Sequence, residues 1–464
     1  MRQGFACAVR RPHHPLVCCA FGASRCSPSA SPSERAPRTP AATLERAPAA
    51  LASTALPGGR GPEHKPAAER PEQTFPEGRE WGGPPHHQKP SPQHTGRVSA
   101  PRSAGIRATM SEYTVGVEQE FLLVDPQTRR PVARAEEVHA AARAEKPYDV
   151  QFELTPFQIE VATGICATPA ELDQQVRRAR KVLVDAADAV GCRLVAVGLP
   201  PIGEAGPPPG TDDPRYHRIE YSHRRLVIGQ GACGMHVHVG VEDRAAAMRA
   251  SNALRPWLPT LLALSANSPF ANGEDTGYAS WRAMVWSRWP VSGPPPDFDS
   301  PEHYDRVVEA LVRSGALIDR AMVYWDVRPA VDWPTVEVRV SDIPMLASEA
   351  VMLAELIRAI VVVGAPEGRV EDPVLRAAYW RAARDGADGL SANPITGRLS
   401  PGFEQADALV KHCAPALRDR DQLSTVEQHL EWLRHNGCGA ARQRRTEDAE
   451  SLVDMLIAKT REDL

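Results

Sequence analysis

The amino-acid sequence predicts an α+β fold for residues 110–464. Two observations carry that prediction. Short runs that alternate strictly between apolar and polar residues recur at 114–124, 232–240 and 335–340. Longer segments with apolar residues at helical spacing lie between and after them. The order of the pieces implies at least two antiparallel strand pairings, not a repeated strand–helix–strand unit.

The elements follow in chain order. Thr114–Val124 is rich in Val, Leu and Phe, so it reads as a strand. Val150–Ala162 is a second extended stretch, interrupted at Pro156, where a ladder donor is missing. Thr168-Pro169 opens a helix with a Thr cap, Pro in the first turn and Glu171 just inside. It runs to Gly191, with Leu172, Val176, Ala179, Leu183, Ala186 and Val190 on one side. Cys192–Gly198 reads as a short buried strand and Pro200–Gly210 as a loop. Ala232–Gly240 is another strand, and Arg244–Ser265 is helical with a break at Pro256. Trp289–Asp299 is a Pro/Gly loop of a length that often carries function. Ala321–Arg328 and Thr335–Val340 form a hairpin, and Ser348–Gly364 is a buried helix. Helices dominate from Asp372 onward.

Composition divides the chain in two. Of 464 residues, 1–109 hold 17 of the 44 prolines and carry 15 basic against 7 acidic groups. The rest carries 39 basic and 51 acidic groups, a net of −12. Residues 1–109 therefore read as a disordered Pro/Arg/Ala-rich leader and 110–464 as the catalytic domain. The first thirty residues resemble a transit peptide in charge alone, because the run PHHPLVCCAFGA is a poor apolar segment. Met110 immediately precedes the first strongly alternating run and is read as the natural initiator, a genuine disordered leader being the alternative. An acidic catalytic region excludes a nucleic-acid binder. The apolar stretch near 357–365 is far short of the roughly 20 residues that a membrane span needs. No CxxC pair is present, and Cys166, Cys192, Cys233, Cys413 and Cys438 are scattered and odd in number. That predicts unpaired thiols in a reducing, cytoplasmic setting.

Acids inside strands are the unusual feature. Glu118 and Glu120 are two apart, so both face one side of their strand, with Gly116 leaving space beside them. Glu153 and Glu160 are seven apart, which puts them on opposite faces unless the chain bends at Pro156. His236 and His238 share one face of GMHVHVG while the valines share the other. Glu337 and Arg339 share a face of TVEVRVSD. Each piece alone has a plain structural reading: a solvated sheet face, a satisfied histidine, an exposed ion pair. Together they could bring five glutamates, two histidines and an arginine to one surface. So much like charge needs cations, and carboxylate oxygens suit Mg²⁺ or Mn²⁺ better than zinc. Ions held this way most often serve a nucleoside triphosphate. Gly229–Gly234 matches GxGxxG but precedes a strand, so it is a turn and not a dinucleotide fingerprint. There is no P-loop and no Ser/His/Asp or Cys/His nucleophile set.

The blocks VGVEQEFLLVD, FELTPFQIEVAT, GMHVHVG, WSRWPVSGPPP, YWDVRP and TVEVRVSD, in this order, resemble the carboxylate–amine ligases, the type 2 glutamate–cysteine ligases. The resemblance runs from about Tyr113 to the C-terminal helices. It implies a glutamine-synthetase-like fold: a curved, mostly antiparallel sheet whose concave face carries metal-binding acids, with helices packed on its outer face. It implies Glu118, Glu120, Glu153, Glu160 and Glu337 as metal ligands, His236 near metal and nucleotide, and Arg339 facing the transferred phosphoryl group. His238 joins them as a binding residue. Arg282 and Arg288 would hold substrate carboxylate or phosphate. The implied reaction uses ATP as co-substrate with Mg²⁺ or Mn²⁺. ATP phosphorylates the γ-carboxylate of glutamate, and the amine of cysteine attacks the acyl phosphate. The partners implied are small molecules only, with a homo-oligomer left open.

Three other readings remain at this point: a ligase for a different amine, an HxH metal-dependent hydrolase, and a relic that binds glutamate or nucleotide without catalysis. The hydrolase needs further His and Asp ligands, and after His238 the next histidines are His303 and His412. A chain beginning at Met110 is expected to be soluble and to keep full activity and the melting temperature of the full-length protein. Thermal unfolding of the two side by side checks this.

Overall fold

The strand Val115–Val124 (β1) alternates because it has two different environments to meet. Val115, Val117, Phe121 and Leu123 are fully buried behind it, while Gly116, Glu118 and Glu120 face forward. The computed structural model describes residues 113–143, 148–203 and 214–464. The leader 1–109 and the greater part of the 200–210 loop lie outside the described residues.

β1 is the hub of a seven-stranded sheet in which every pairing is antiparallel. Along one edge of β1 runs Gln158–Ala162 (β3), and beyond it Asp149–Phe152 (β2). Along the other edge the first half of β1 pairs with Gly234–Gly240 (β5) and its end with Arg193–Val195 (β4). Thr335–Asp342 (β7) joins β5, and Val327–Pro329 (β6) closes the sheet.

Most predicted elements are present, with four adjustments. The interruption at Pro156 is a complete hairpin turn, so 150–162 is two paired strands and not one bent strand. Only Arg193–Val195 of the 192–198 segment enters the ladder, where β1 has room for a third neighbour. Ala321–Arg328 is not one strand. Arg320–Met322 is a 3₁₀ turn capped by Asp319, and Tyr324–Trp325 pairs in parallel with Ser292–Gly293. Only its last residues reach β7. The break at Pro256 is a 3₁₀ turn at Arg255–Trp257 between helices Arg244–Leu254 (α4) and Leu258–Ser265 (α5). The GxGxxG segment is a loop that leads into β5, with no helix after it.

Helices cover the back of the sheet. Pro169–Ala189 (α2) is held at its start by a capping box between Thr168 and Glu171. Ala347–Val363 (α8) is apolar nearly all round, as a helix buried between a sheet and other helices must be. α2 and α8 lie against β1 and β5, and α4 and α5 against β7. The helix Gly402–Arg418 packs on α8 from outside. No helix among the described residues is long and apolar enough to cross a membrane.

One polar residue breaks the apolar back face. Gln119 is fully buried there, and its side-chain oxygen accepts from Arg180 Nε at 3.2 Å and Nη2 at 2.9 Å. Arg180, also fully buried on α2, donates to the carbonyls of Pro344 and Met345 at 3.2 and 3.0 Å. Burial pulls its pKa down to about 10. The guanidinium ties β1, α2 and the β7–α8 connection at one point. Replacing it strands several buried acceptors, each costing roughly 1–3 kcal/mol. Arg180→Met is expected to destabilise the fold by at least about 3 kcal/mol. A shifted urea midpoint with an unchanged slope would register it.

Candidate active site

The register of the sheet builds the site. On the front face Glu118 stands opposite His236, Gly116 opposite His238, and Glu120 opposite Glu160. Glu337 stands opposite His238, and Arg328 opposite Glu337. Directly opposed residues have Cβ atoms about 4.5–5.5 Å apart, so these pairs form one continuous polar band. The hairpin turn after β2 adds Glu153. It is thus the turn, and not a bulge, that reconciles the seven-residue spacing of Glu153 and Glu160.

A bulge does occur, on β7. Val338 pairs with Val237 and Ser341 with Met235, so β7 has one residue more than β5 over this stretch. Arg339 lies in it. Its N–H donates to the Asp326 carbonyl at 2.8 Å, and its guanidinium reaches Glu337 and, at 3.3 Å, His236 Nδ1.

The contacts are dense. His236 Nδ1 is 2.8 Å from Glu118 Oε2 and its Nε2 is 3.3 Å from Glu120 Oε1. Glu120 Oε2 accepts from the N–H of Gly234 at 2.6 Å. Arg328 grips Glu337 with two nitrogens, at 2.8 and 3.2 Å. His238 Nδ1 lies 2.9 Å from Thr335 Oγ1. Its Nε2, 3.2 Å from Glu118, is buried and out of line for a hydrogen bond.

Electrostatics separates the acids into two kinds. Burial works against ionising Glu118, but the hydrogen bond with His236 and the close approach of the His238 ring hold it well below the usual carboxylate range. Burial also opposes Glu337, and Arg339 and Arg328 overcome it in the same direction. For Glu153 and Glu160 the favourable contacts do not offset burial and repulsion. Burial, then the charge of Glu120, pushes Glu153 up to about 7. Burial, then the charges of Glu153, Glu118 and Glu120, pushes Glu160 well above its ordinary value. Three groups offer ligand atoms within 4.8 Å of one another: Glu118 with Glu160 and His236, Glu118 with His238 and Glu337, and Glu120 with Glu153 and Glu160. Oxygen donors outnumber nitrogen, which fits a hard divalent cation. The unsatisfied His238 nitrogen fits one too.

A cavity of about 350 Å³ opens over this band. Glu118, Glu120, Glu153, Glu160, His236, Arg282 and Arg339 line it, while Glu337 and His238 sit beside it behind Arg328 and Arg339. Arg288 is not brought here. It turns to a separate surface pocket with Arg225 and Gly229. Its neighbour in sequence, Trp289, faces the cavity instead. Residues that pattern reasoning did not single out also line the cavity. Arg328 was legible, since it faces the same way as Glu337 within the YWDVRP block. Arg215 and Tyr216, on the helix Pro214–His223 (α3), carried no periodic signal. Trp286, Trp289 and Tyr324 form an aromatic wall, with ring centroids 4.9 and 5.5 Å from Tyr324. Neither later histidine supports a hydrolase: His303 contacts Asp299, and His412 the Gly364 carbonyl. Among the described residues Cys166, Cys192, Cys233, Cys413 and Cys438 are buried and unpaired.

Residues 114–457 match the model of glutamate–cysteine ligase family 2. The chain belongs to this family. It is similar to a protein of Saccharopolyspora erythraea provisionally named glutamate–cysteine ligase 2-1, with 46% identity over 76% of this chain and 96% of that one. A relative from Mycobacterium sp. strain KMS, provisionally named glutamate–cysteine ligase 2-2, is 46% identical over 71% of this chain and 93% of its own. Among solved structures, glutamate–cysteine ligase of Francisella tularensis in complex with AMP has the same fold, with TM-score 0.57 and 11% identity, covering 76% of this chain and 89% of that one. The bifunctional glutathione synthetase of Pasteurella multocida gives a TM-score of 0.56 at 14% identity over 76% of this chain. This chain spans 53% of that longer protein. The fold is therefore glutamine-synthetase-like, and the family member is an enzyme, an ATP-dependent ligase.

The raised acids set a pH dependence. A carboxyl whose folded pKa lies above its unfolded value binds protons more readily in the folded state, so its ionisation weakens folding as pH rises. Metal-free protein is expected to lose stability as the pH climbs from about 4.5 through about 7, the ordinary and shifted values for Glu153. Added Mg²⁺ is expected to raise the melting temperature more at pH 8 than at pH 6. Thermal melts with and without chelator across that range check both signs.

Proposed function

We propose that this ligase joins the γ-carboxylate of L-glutamate to the amine of L-cysteine, consuming ATP and passing through γ-glutamyl phosphate. The observation that carries the reading is the meeting of three carboxylate-rich donor groups with the partly buried Arg339 at one cavity. Residues 110–464 form the catalytic unit, and the enzyme works in the cytoplasm.

A carboxylate is a poor electrophile, and phosphorylation gives it a leaving group. Bringing anionic ATP to anionic glutamate costs Coulomb repulsion, most of all in a site already full of acids. Mg²⁺ or Mn²⁺, when bound, supplies the positive charge that offsets this repulsion. Glu118, Glu120, Glu153, Glu160, Glu337 and both histidines would hold the ions. His236 is fixed by Glu118 and Glu120 on its two nitrogens, so its ring cannot turn away. Arg339 stays charged, since Glu337 and Glu120 push its pKa up against its burial. Its planar fork, placed beside the band, stabilises the charge that develops on the moving phosphoryl group. Arg282 takes a substrate carboxylate or phosphate. The aromatic wall excludes water and so protects an acyl phosphate from hydrolysis.

Three substitutions test the roles. Glu118→Gln keeps the size of the side chain and removes its charge, so ATP turnover is expected to collapse while the fold survives. Glutamate- and cysteine-dependent phosphate release beside circular dichroism reads both. Arg339→Lys is expected to lower kcat by about 100-fold or more, with little change in the KM for ATP, because Lys cannot reproduce the fork. Glu337→Gln should instead raise the magnesium requirement and be partly rescued by excess Mg²⁺. Should both variants answer magnesium alike, Arg339 is only an ion-pair partner of Glu337.

A further inference from the structure

Asp342, the last residue of β7, is fully buried and holds Arg282 from two directions. Its Oδ2 accepts from the N–H of Asn267 at 2.8 Å and from Ser268 Oγ at 2.7 Å, and Ser268 Oγ in turn accepts from the N–H of Arg282 at 3.1 Å. Its Oδ1 accepts at 2.8 Å from Ser280 Oγ, the hydroxyl that caps the helix Trp281–Trp286, and lies 3.7 Å from Arg282 Nη1. The main chain and the guanidinium of Arg282 are thus tied to one carboxylate. The guanidinium lies against Gly234, which stands opposite Asp342 in the β5–β7 ladder. A Cβ at Gly234 would overlap Arg282 Nη2 and come within 2.9 Å of its Cζ. Gly234 is the last glycine of the GxGxxG run, and the close approach it permits is that of this arginine. Arg282 is 4% exposed and lines the active-site cavity. Its Nη2 is 3.4 Å from the Arg339 carbonyl, and its Nε has no hydrogen bond among the described residues.

We infer that Asp342 is a positioning residue: with Ser268 and Ser280 it aims Arg282 past Gly234 at an anionic oxygen of a bound substrate, a carboxylate or a phosphate. The inference rests on the ligase reading and deepens it. Asp342 is not among the residues that line the cavity, so it acts only through Arg282. A guanidinium carries five donors in one rigid plane, so partners on one edge fix the direction of the others. An arginine pinned before substrate arrives has less rotamer freedom to lose on binding. Asp342 already shares the charge of Arg282, so what the arginine offers an anion is direction more than net charge. The glycine completes the device, because any side chain at 234 would push the fork off the sheet. The plain alternative is that the cluster only fastens the end of β7 to the 267–282 segment.

The test is a double-mutant cycle on the full-length enzyme, read as the KM for glutamate and the KM for ATP with saturating Mg²⁺ and cysteine. Arg282→Met identifies the anion: a rise of about 10-fold in the glutamate KM assigns the fork to a carboxylate, and the same rise in the ATP KM to a phosphate. Gly234→Ala and Asp342→Asn are each expected to raise that same KM about 10-fold and to leave the other within about twofold of wild type. In the Arg282→Met background neither should add more than about twofold, because the group each one displaces is gone. Should Asp342→Asn not fold, Ser268→Ala takes its place, since it removes the hydroxyl between Asp342 and the N–H of Arg282. Loss of folded protein alone would lower the apparent kcat and leave KM unmoved. If the effects multiply with that of Arg282→Met, or Arg282→Met moves neither KM, the cluster only fastens the fold and the inference is overturned. If wild-type protein releases no phosphate with any acceptor, the ligase reading itself fails. Calorimetric titration of glutamate and of ATP with Mg²⁺ into the same proteins then decides the positioning separately. The same non-additive pattern in Kd supports it, and additive losses, or a wild type that binds neither ligand, overturn it.

Discussion

Mutual repulsion among five carboxylates on one side of one sheet is the constraint on which the rest of this structure depends. Such a face cannot be solvated like a surface, because it sits under a cavity wall of tryptophan and tyrosine. It cannot be neutralised by protonation alone either, since Glu118 and Glu337 are held ionised by their partners. The chain meets the difficulty with histidines from the neighbouring strand and arginines from the far edge, all placed by antiparallel register. Glu153 and Glu160 are the acids for which burial and mutual repulsion outweigh any favourable contact, and they are the ones driven toward protonation.

Holding that arrangement requires a rigid back. Val115, Val117, Phe121, Met235, Val237, Val239, Val336 and Val338 pack against α2, α8, α4 and α5 with almost no exposed surface. Register cannot slip by one residue without turning this set into the cavity and the acids into the core. Gln119 and Arg180 reinforce the point. They cross-link β1 to α2 and to the chain leaving β7, the two strands that contribute the ligands furthest apart in sequence.

The legible part of this architecture was the part that repeats with period two. Alternation at 115–124, 234–240 and 335–342 was enough to put Glu118 with Glu120, His236 with His238, and Glu337 with Arg339 on shared faces. The meeting of Glu153 and Glu160 depends on a complete hairpin turn where the sequence marks only an interruption at Pro156. Beyond Arg339 an inserted residue shifts the pairing of Ser341 and Asp342 with β5, and no pattern in TVEVRVSD announces that bulge. Arg288 reads like Arg282 in sequence, six residues further on. The helix carrying Arg282 ends at Trp286, and the chain has turned before Arg288, which therefore faces another pocket. α3 contributes Arg215 and Tyr216 to the cavity from a segment with no distinctive period.

The arginines of the cavity also set what can enter it. Arg328 and Arg339 are both held by Glu337, Arg282 lies 3.7 Å from Asp342, and Arg215 is paired with Asp319 at 3.1 Å. The positive charge around the face is therefore already engaged by acids of the chain itself. Such a face is in effect a fixed ion exchanger, and an anion is admitted only in company with positive charge that it brings along.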